Sequence, residues 1–538
     1  MENSRLKLPI GIQTFETIRK EGYLYIDKTK YLVDMVDSGK IYFLARPRRF
    51  GKSLTVSTFE AMFSGRKELF TGLYAEEFMN RASFEKSPVI WLDMSAVDCD
   101  CGIGGIRESL KEITIESAES LCVDVPKDLP ASDIFRKLII NTERKYNQKA
   151  VVLIDEYDAP YTEFVNNPDM ADEVRSVLRS YYKQLKANER HIRFIFIAGI
   201  SKFTKFGVFS TLNNTKDISL TPHYAEICGY TQDEIIRYFP DYLEETANFM
   251  GITTDELISK MRDYYNGFTF DSACRTKLYN PFSTLCFFEE KEFYNFWVES
   301  GKSKMISDYM KHRNLTVEEF RHFPVSKDFA LSPGDVDKTL PEGFLFQCGY
   351  LTLRPGVFGS DLSFDYPNTE VLNSMSKLLT QNTITEKNYS YFQSNLLAAI
   401  VSNDIEKFVE VINRLLSCIP YDDFLSAAKQ KLSLSVNKIS VQEWLYRSNI
   451  IAFLRGCGVV TFAEVQTNLG RPDIVLSHKG HVWLIELKVA EKGQTANKKA
   501  EEAFRQIMDK NYAKAYPDAV CVGIAIDDDK KQITGWRC

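Results

Sequence analysis

Short apolar runs recur through the first two hundred residues, each followed by a polar turn and then by a longer stretch of helical periodicity. Ile41-Tyr42-Phe43-Leu44, Val89-Ile90-Trp91-Leu92, Val151-Val152-Leu153-Ile154 and Phe194-Ile195-Phe196-Ile197-Ala198 are rich in β-branched and aromatic residues. Their length and composition predict strands buried on both faces. Tyr23 to Thr29 reads as a further short strand ending in a polar turn. Helical patterns fill Lys30 to Ser38, Leu54 to Phe63, Ile106 to Leu121 and Ala131 to Arg144. Strand alternating with helix predicts an α/β core with a mostly parallel sheet over residues 1–225.

The pattern then changes. Over 226–375 helices dominate, beginning with Thr231 and Glu234 in capping-box spacing and interrupted by turns at Tyr264 to Phe270 and Tyr279 to Phe282. This region reads as a helical lid or winged-helix module, its aromatics forming core. Gly343 to Leu353 and Leu362 to Pro367 predict a helix followed by a hairpin. Residues 376–438 read as a helical connector, and 439–538 as a compact last α/β domain. In that domain Ser440 is placed to cap a helix over Val441 to Arg455, with Glu443 near its start. Strands follow at Val459 to Val465, within Gly470 to Leu476 ahead of a turn at Ser477 to Gly480, at His481 to Val489 and at Ala519 to Ile526. A helix over Lys498 to Asn511 precedes the last of them.

The first strand runs into Arg46-Pro47-Arg48-Arg49-Phe50-Gly51-Lys52-Ser53 and then, from Leu54, into a helix. Strand, loop with Gly-Lys-Ser, and helix form a phosphate-binding layout. Backbone N–H groups and the helix start hold the phosphates, Lys52 reaches the β/γ oxygens of ATP, and Ser53 ligates Mg²⁺. The usual template has Gly where this chain has Arg46, and Pro47 has no N–H to offer. Lys52, Ser53 and the helix start are therefore expected to carry most of the grip, with Arg46, Arg48 and Arg49 adding charge. The third buried run ends in Asp155-Glu156, placing Asp155 to hold Mg²⁺ through water and Glu156 to orient or deprotonate the attacking water. Ser201, at the end of the fourth run, is the candidate γ-phosphate sensor, with Lys202 a weaker one.

A second constellation lies in the last domain. Glu486 and Lys488 are two apart on a predicted strand and so share a face, and Asp473 opens the strand before it, thirteen residues earlier. A lone Glu-x-Lys arises by chance about two or three times in a chain of this length. Charges inside the apolar run Ile485-Glu486-Leu487-Lys488-Val489 say more. With Glu464 nearby, Asp473 and Glu486 suit Mg²⁺, and Lys488 suits a group that positions a nucleophile in phosphodiester hydrolysis. Gln506 and Lys510, one helical turn apart, are placed to support this site or to touch DNA.

Composition narrows the classes. The chain has 538 residues, 44% of them hydrophobic and 26% charged, an ordinary balance for a globular protein. A net charge of −6 supplies no global basic field, so any contact with nucleic acid must come from local patches. Eleven scattered cysteines without C-x-x-C or Cys/His metal spacing favour reduced thiols and a cytoplasmic location. The first residues lead into no apolar signal core, and the longest apolar run is too short to cross a bilayer, so no membrane partner is expected.

Taken together, these residues resemble the AAA-ATPase-like bacterial proteins that carry a C-terminal PD-(D/E)XK nuclease domain. The resemblance rests on Tyr25 to Thr29, Arg46 to Ser53, Ile154 to Asp158, Asn213-Asn214, Tyr279-Asn280-Pro281 and Gly349 to Thr352. In the last domain it rests on Glu464, Gly470 to Asp473, Glu486 to Lys488, Gln506-Ile507 and Tyr512. That family itself uses the Arg-Pro-Arg-Arg-Phe-Gly-Lys loop. The resemblance implies an additional-strand P-loop ATPase with a helical lid, joined to a nuclease-like domain. It implies no particular substrate; a link to defence or mobile elements is analogy. The expected activity is ATP hydrolysis coupled to Mg²⁺-dependent cutting of nucleic acid, with DNA the leading partner and a homo-oligomer compatible. The rival is a signalling or scaffold ATPase whose nuclease-like domain only binds, and divergence of Asp473, Glu464 and Glu486 would favour it. A metabolic kinase is disfavoured, because no small-molecule acceptor site is visible.

Overall fold

Each of the four apolar runs forms a strand of one sheet. In the computed structural model, residues 5–164, 167–202, 215–299, 306, 317, 320–331, 341–356, 361–383, 386–419, 441–463, 472–510 and 512–538 are described. The chain divides into two compact units: Met1–Met305 with His322–Val371, and Ile306–Arg321 with Leu372–Cys538.

In the first unit β1 (Ile41–Ala45), β2 (Val89–Asp93), β3 (Ala150–Asp155), β4 (Ile192–Gly199) and β5 (Lys216–Asp217) form a parallel sheet in the order β2-β3-β4-β1-β5. β4 is the additional strand between β1 and β3. Parallel pairing places Asp93 beside Asp155 and Ala45 beside Gly199, so the loops bearing the candidate chemistry leave one edge of the sheet. The helix Lys52–Phe63 packs on this sheet through Phe59, whose ring lies 5.2 Å from Phe194 and 4.9 Å from Phe196.

The stretch from Tyr23 to Lys28 does not join a sheet. Tyr23 makes a single bridge to Lys7, and side chains hold the remainder. Asp27 accepts from the backbone of Thr29 and of Tyr74, and the Lys28 ammonium lies 2.5 and 2.6 Å from the two carboxylate oxygens of Glu234. Glu234 also closes the predicted capping box with Thr231. The helices Gln232–Tyr238, Pro240–Met250, Thr254–Tyr265 and Pro281–Glu290 bury Phe239, Leu257, Tyr265, Phe287 and Phe288 in one core with Leu8, Leu24 and Ile26. The predicted helix and hairpin follow: the helix Pro341–Cys348, then β7 (Thr352–Pro355) and β8 (Leu362–Asp365) in an antiparallel sheet with β6 (Phe323–Val325).

The second unit has the sheet order β13-β12-β11-β10-β9, with β9 (Val460–Ala463), β10 (Ile474–His478), β11 (His481–Ala490), β12 (Val520–Asp527) and β13 (Gln532–Arg537). β10 and β11 form a hairpin closed by Lys479 (φ +47°) and Gly480 (φ +85°), the left-handed pair that a two-residue turn requires. β11 then runs parallel to β12 across the helix Ala496–Asp509. That helix comes so near β12 that a Cβ on Gly523 would lie 2.4 Å from the Ala500 carbonyl oxygen. Alternation sorts the hairpin onto two faces. Leu476, Trp483, Ile485 and Leu487 join a core with Phe408, Ile412 and Ile451, whereas Val475 and Leu484 pack with Ile507 and Tyr512. The helices Glu386–Ser402 and Ile405–Leu416, within the region read as a connector, thus share the core of the second unit's sheet.

Candidate functional site

The phosphate loop turns through two left-handed residues, Arg49 (φ +65°) and Gly51 (φ +93°), and Gly51 caps the helix that Lys52 begins. Lys52 is buried, and its ammonium donates to the Pro47 carbonyl at 3.0 Å. Burial pulls its pKa down, opposed by the charges of Glu156, Asp155 and Asp158. The Ser53 hydroxyl hydrogen-bonds the Asp155 carboxylate, whose pKa burial raises and whose charge Ser53 and Lys52 support. Glu156 sits in the left-handed region at φ +47°, and its backbone N–H donates to Asp155 Oδ1 at 2.9 Å. A side-chain-bearing residue there carries backbone strain, which the surrounding fold must hold. Burial also raises the Glu156 carboxyl, with Lys52 opposing. Lys52, Ser53, Asp155 and Glu156 thus meet at one place. A hydroxyl bonded to a carboxylate beside a buried cation fits Mg²⁺ and a polyphosphate.

Other predicted residues turn elsewhere. Arg46 is buried, and its guanidinium donates to the carbonyls of Ala45 (3.0 Å), Ser219 (2.5 Å) and Tyr224 (3.2 Å) while lying 4.2 Å from the Phe270 ring centre. Burial lowers its pKa to about 10. The charge expected at the phosphates is therefore directed into the wall of the fold, because backbone carbonyls within reach fix it there. Ser201 is buried, and its hydroxyl and N–H both donate to Asp158 Oδ2 at 2.7 Å, so the expected sensor hydroxyl is held by a carboxylate. The Lys202 ammonium lies 3.2 Å from Asp217. Pro47 is covered by Gly349, where a Cβ would fall 2.6 Å from the proline Cβ. Phe50 packs edge-on against Phe268 and Phe270. Leu54 lies in the helix that Lys52 begins. Asp158, which joins β3 to β4 through Ile200 and Ser201, went unassigned, although it stands in the same acidic run as Asp155. Asn213 and Asn214 lie outside the described residues.

Arg46→Met should leave those carbonyls without their donor and cost about 2–4 kcal/mol of stability, while ADP affinity of the folded protein stays within about twofold. Thermal unfolding and calorimetric titration check both halves.

In the second unit Asp473 and Glu486 converge. Asp473 N–H donates to Glu486 Oε2 at 3.3 Å, and Leu487 N–H donates to Asp473 Oδ2 at 2.8 Å. Both residues are buried, and Glu486 is pushed up to about 8, first by burial and then by the Asp473 charge. The Lys488 ammonium lies 3.7 Å from Glu486 Oε1, the oxygen that also accepts from the Gln506 amide. Gln506 therefore supports the site from the helix Ala496–Asp509, and Lys510 caps that helix. Two residues of the helix Val441–Gly456 complete the surroundings. Arg447 Nη1 donates to Asp473 Oδ1 at 3.1 Å. Glu443 interacts electrostatically with Lys488, Asp473 and Arg447, its pKa raised mainly by burial. Their four-residue spacing on one helix face was the signal available in sequence. Ser440, Glu464, Gly470 and Arg471 lie outside the described residues. Among the described residues no group of three or more His, Cys, Asp or Glu is arranged to hold a metal. The paired hard carboxylates do fit part of a Mg²⁺ shell.

All eleven cysteines are free, and among the described residues no helix is long and apolar enough to cross a membrane.

Comparison with known proteins matches the two places where this chemistry gathers. A family model described as a predicted AAA-ATPase matches residues 9–209, and one described as the PD-(D/E)XK nuclease superfamily matches residues 441–536. An uncharacterized protein in the vnfD 5′ region of Azotobacter chroococcum mcd 1 is 30% identical over 550 residues, covering 99% of each chain. Among solved structures, the Aeropyrum pernix ORC1 protein in complex with DNA aligns with 84% of this chain and 88% of its own, at 10% identity and a TM-score of 0.25. A likeness at that score carries no argument.

Proposed function

The chain belongs to the predicted AAA-ATPases that carry a C-terminal PD-(D/E)XK nuclease superfamily domain, and from this premise we propose that it is an ATP-dependent nuclease. Lys52, Ser53, Asp155 and Glu156 would bind and hydrolyse Mg²⁺-ATP. Asp473, Glu486 and Lys488 would cut nucleic acid, with DNA the first substrate to try. The observation that carries the reading is the meeting of Asp473 and Glu486, with Lys488 beside them. Divergence of Asp473, Glu464 and Glu486 would favour the scaffold reading; of these Asp473 and Glu486 are among the described residues, and they converge.

Each residue has a part in this reading. Asp473 and Glu486 would hold the divalent cation, which when bound acidifies a water and polarises the phosphate. Gln506 fixes the Glu486 carboxylate, and Leu487 N–H with Arg447 fixes that of Asp473. Lys488 is placed to steady the nucleophile and the growing negative charge. In the ATPase unit, Lys52 counters the charge of the terminal phosphates and Glu156 receives the proton of the attacking water. We place the activity in the cytoplasm, with reduced cysteines, in defence or mobile-element biology, and a homo-oligomer remains compatible with it.

The test is cleavage by the purified full chain. With Mg²⁺ or Mn²⁺, single-stranded DNA, duplex DNA or RNA should be degraded, and chelation should stop the reaction. Intact substrates of every kind, with both metals and with ATP present, would leave the binding-only reading.

A further inference from the structure

Asp473 and Glu486 are buried side by side, and each of their carboxylate oxygens has a partner. Leu487 N–H donates to Asp473 Oδ2 at 2.8 Å, and Asp473 N–H donates to Glu486 Oε2 at 3.3 Å. Both donors are backbone groups and move only with the hairpin. The Gln506 amide, which donates to Glu486 Oε1, carries no charge. The other two partners are cations. The Lys488 ammonium lies 3.7 Å from Glu486 Oε1, beyond hydrogen-bond distance, and its side chain is 26% exposed. Arg447 is engaged more closely. Its side chain is 9% exposed, and Nη1 donates to Asp473 Oδ1 at 3.1 Å, a charge-assisted bond to one of the two candidate metal ligands. Arg447 reaches that carboxylate from a separate element, the helix Val441–Gly456. An ion ligated by the same carboxylate faces the guanidinium, and two cations repel strongly in a buried place. The guanidinium is the partner of Asp473 that can leave. It ends a long side chain, and Glu443, one turn earlier on the same helix face, offers it a second acceptor.

We infer that Arg447 is a resident counter-cation that competes with the divalent metal for Asp473 and so sets how tightly the site holds its ion. This deepens the nuclease reading above and rests on it. Arg447 is then a positioning residue with two opposed effects. Its charge steadies two carboxylates that burial forces together, and the same charge costs the site affinity for the metal. A purely structural arginine has the first effect and lacks the second.

The experiment is a calorimetric titration of the full-length chain with Mn²⁺, in the absence of nucleotide, for wild type, Arg447→Gln, Arg447→Met and Arg447→Lys, with Glu486→Gln as the blank. Binding that wild type shows and Glu486→Gln lacks belongs to this site, which separates it from any ion held at Ser53 and Asp155. Arg447→Gln and Arg447→Met should bind Mn²⁺ there about fivefold or more tightly than wild type, while Arg447→Lys, which keeps the charge, should stay within about twofold of it. With chelator present the melting temperature of both neutral variants should fall, and Mn²⁺ should raise it by more than it raises that of wild type. Arg447→Gln keeps an N–H donor for Asp473, so the test does not depend on the methionine variant folding. Unchanged or weaker Mn²⁺ binding in the neutral variants overturns the inference, as does equal tightening in Arg447→Lys. Either result, beside Glu486-dependent binding by wild type, leaves the metal site of the nuclease reading standing. Wild type without Glu486-dependent binding removes the inference and that metal site together.

Discussion

Lys52→Ala is expected to weaken ATP binding by about tenfold to 100-fold and to reduce hydrolysis below about one per cent of wild type. Lys52 is a buried cation among Asp155, Glu156 and Asp158, and its ammonium donates to the Pro47 carbonyl. Two costs follow from its removal. ATP loses the countercharge for its terminal phosphates, and three carboxylates that already repel one another lose their shared cation. Pro47 offers no N–H and is packed under Gly349, and the Arg46 guanidinium is fixed to the carbonyls of Ala45, Ser219 and Tyr224, so neither replaces that charge. Lys52→Met, which keeps the stem of the side chain, should behave alike in binding. Unchanged affinity for a fluorescent ATP analogue in both variants would remove the phosphate-loop assignment.

Glu486→Gln should lower nucleic-acid cleavage by about 1,000-fold or more, because a cation ligand and its charge disappear together. The same change should not destabilise the metal-free protein. Glu486 is buried beside Asp473, and burial with the Asp473 charge pushes its carboxyl up to about 8, so in the metal-free fold its surroundings resist the ionised form. An amide is close in shape and carries no charge. Loss of activity with an unchanged or higher melting temperature is the pattern of a functional residue kept at the expense of stability. Loss of activity with a falling melting temperature would instead mark Glu486 as a structural group. Asp473→Ala should also stop cleavage, and it should destabilise, because Arg447 and the Leu487 N–H would both lose their acceptor.

The sheet of the first unit was legible because its long strands are apolar runs, as the interior parallel strands β1, β3 and β4 must be. The pairing of Asp473 with Glu486 was legible too, since a hairpin with a two-residue turn brings residues at that separation together. What stayed hidden depends on contacts made across long stretches of chain. Arg46 is fixed by carbonyls 173 and 178 residues away, and no local pattern announces them. The Ser201 hydroxyl belongs to Asp158, which follows the neighbouring strand β3, 43 residues earlier in the chain. Tyr23 to Lys28 has strand-like composition but finds no ladder partner, and side-chain bonds of Asp27 and Lys28 hold it instead. In the second unit the contacts of Arg447 and Glu443 with the site depend on how the helix Val441–Gly456 packs against the hairpin, which their spacing alone does not give.

One measurement bears most directly on the claim that an ATP site and a nuclease site work together in this chain. It is a cleavage time course on DNA and RNA with Mg²⁺, with and without ATP, for wild type, Lys52→Ala and Glu486→Gln. The account predicts that ATP changes the wild-type rate by about tenfold or more, that Lys52→Ala no longer responds to ATP, and that Glu486→Gln cuts under neither condition. A wild-type rate indifferent to ATP, or cleavage by Glu486→Gln at the wild-type rate, would contradict it.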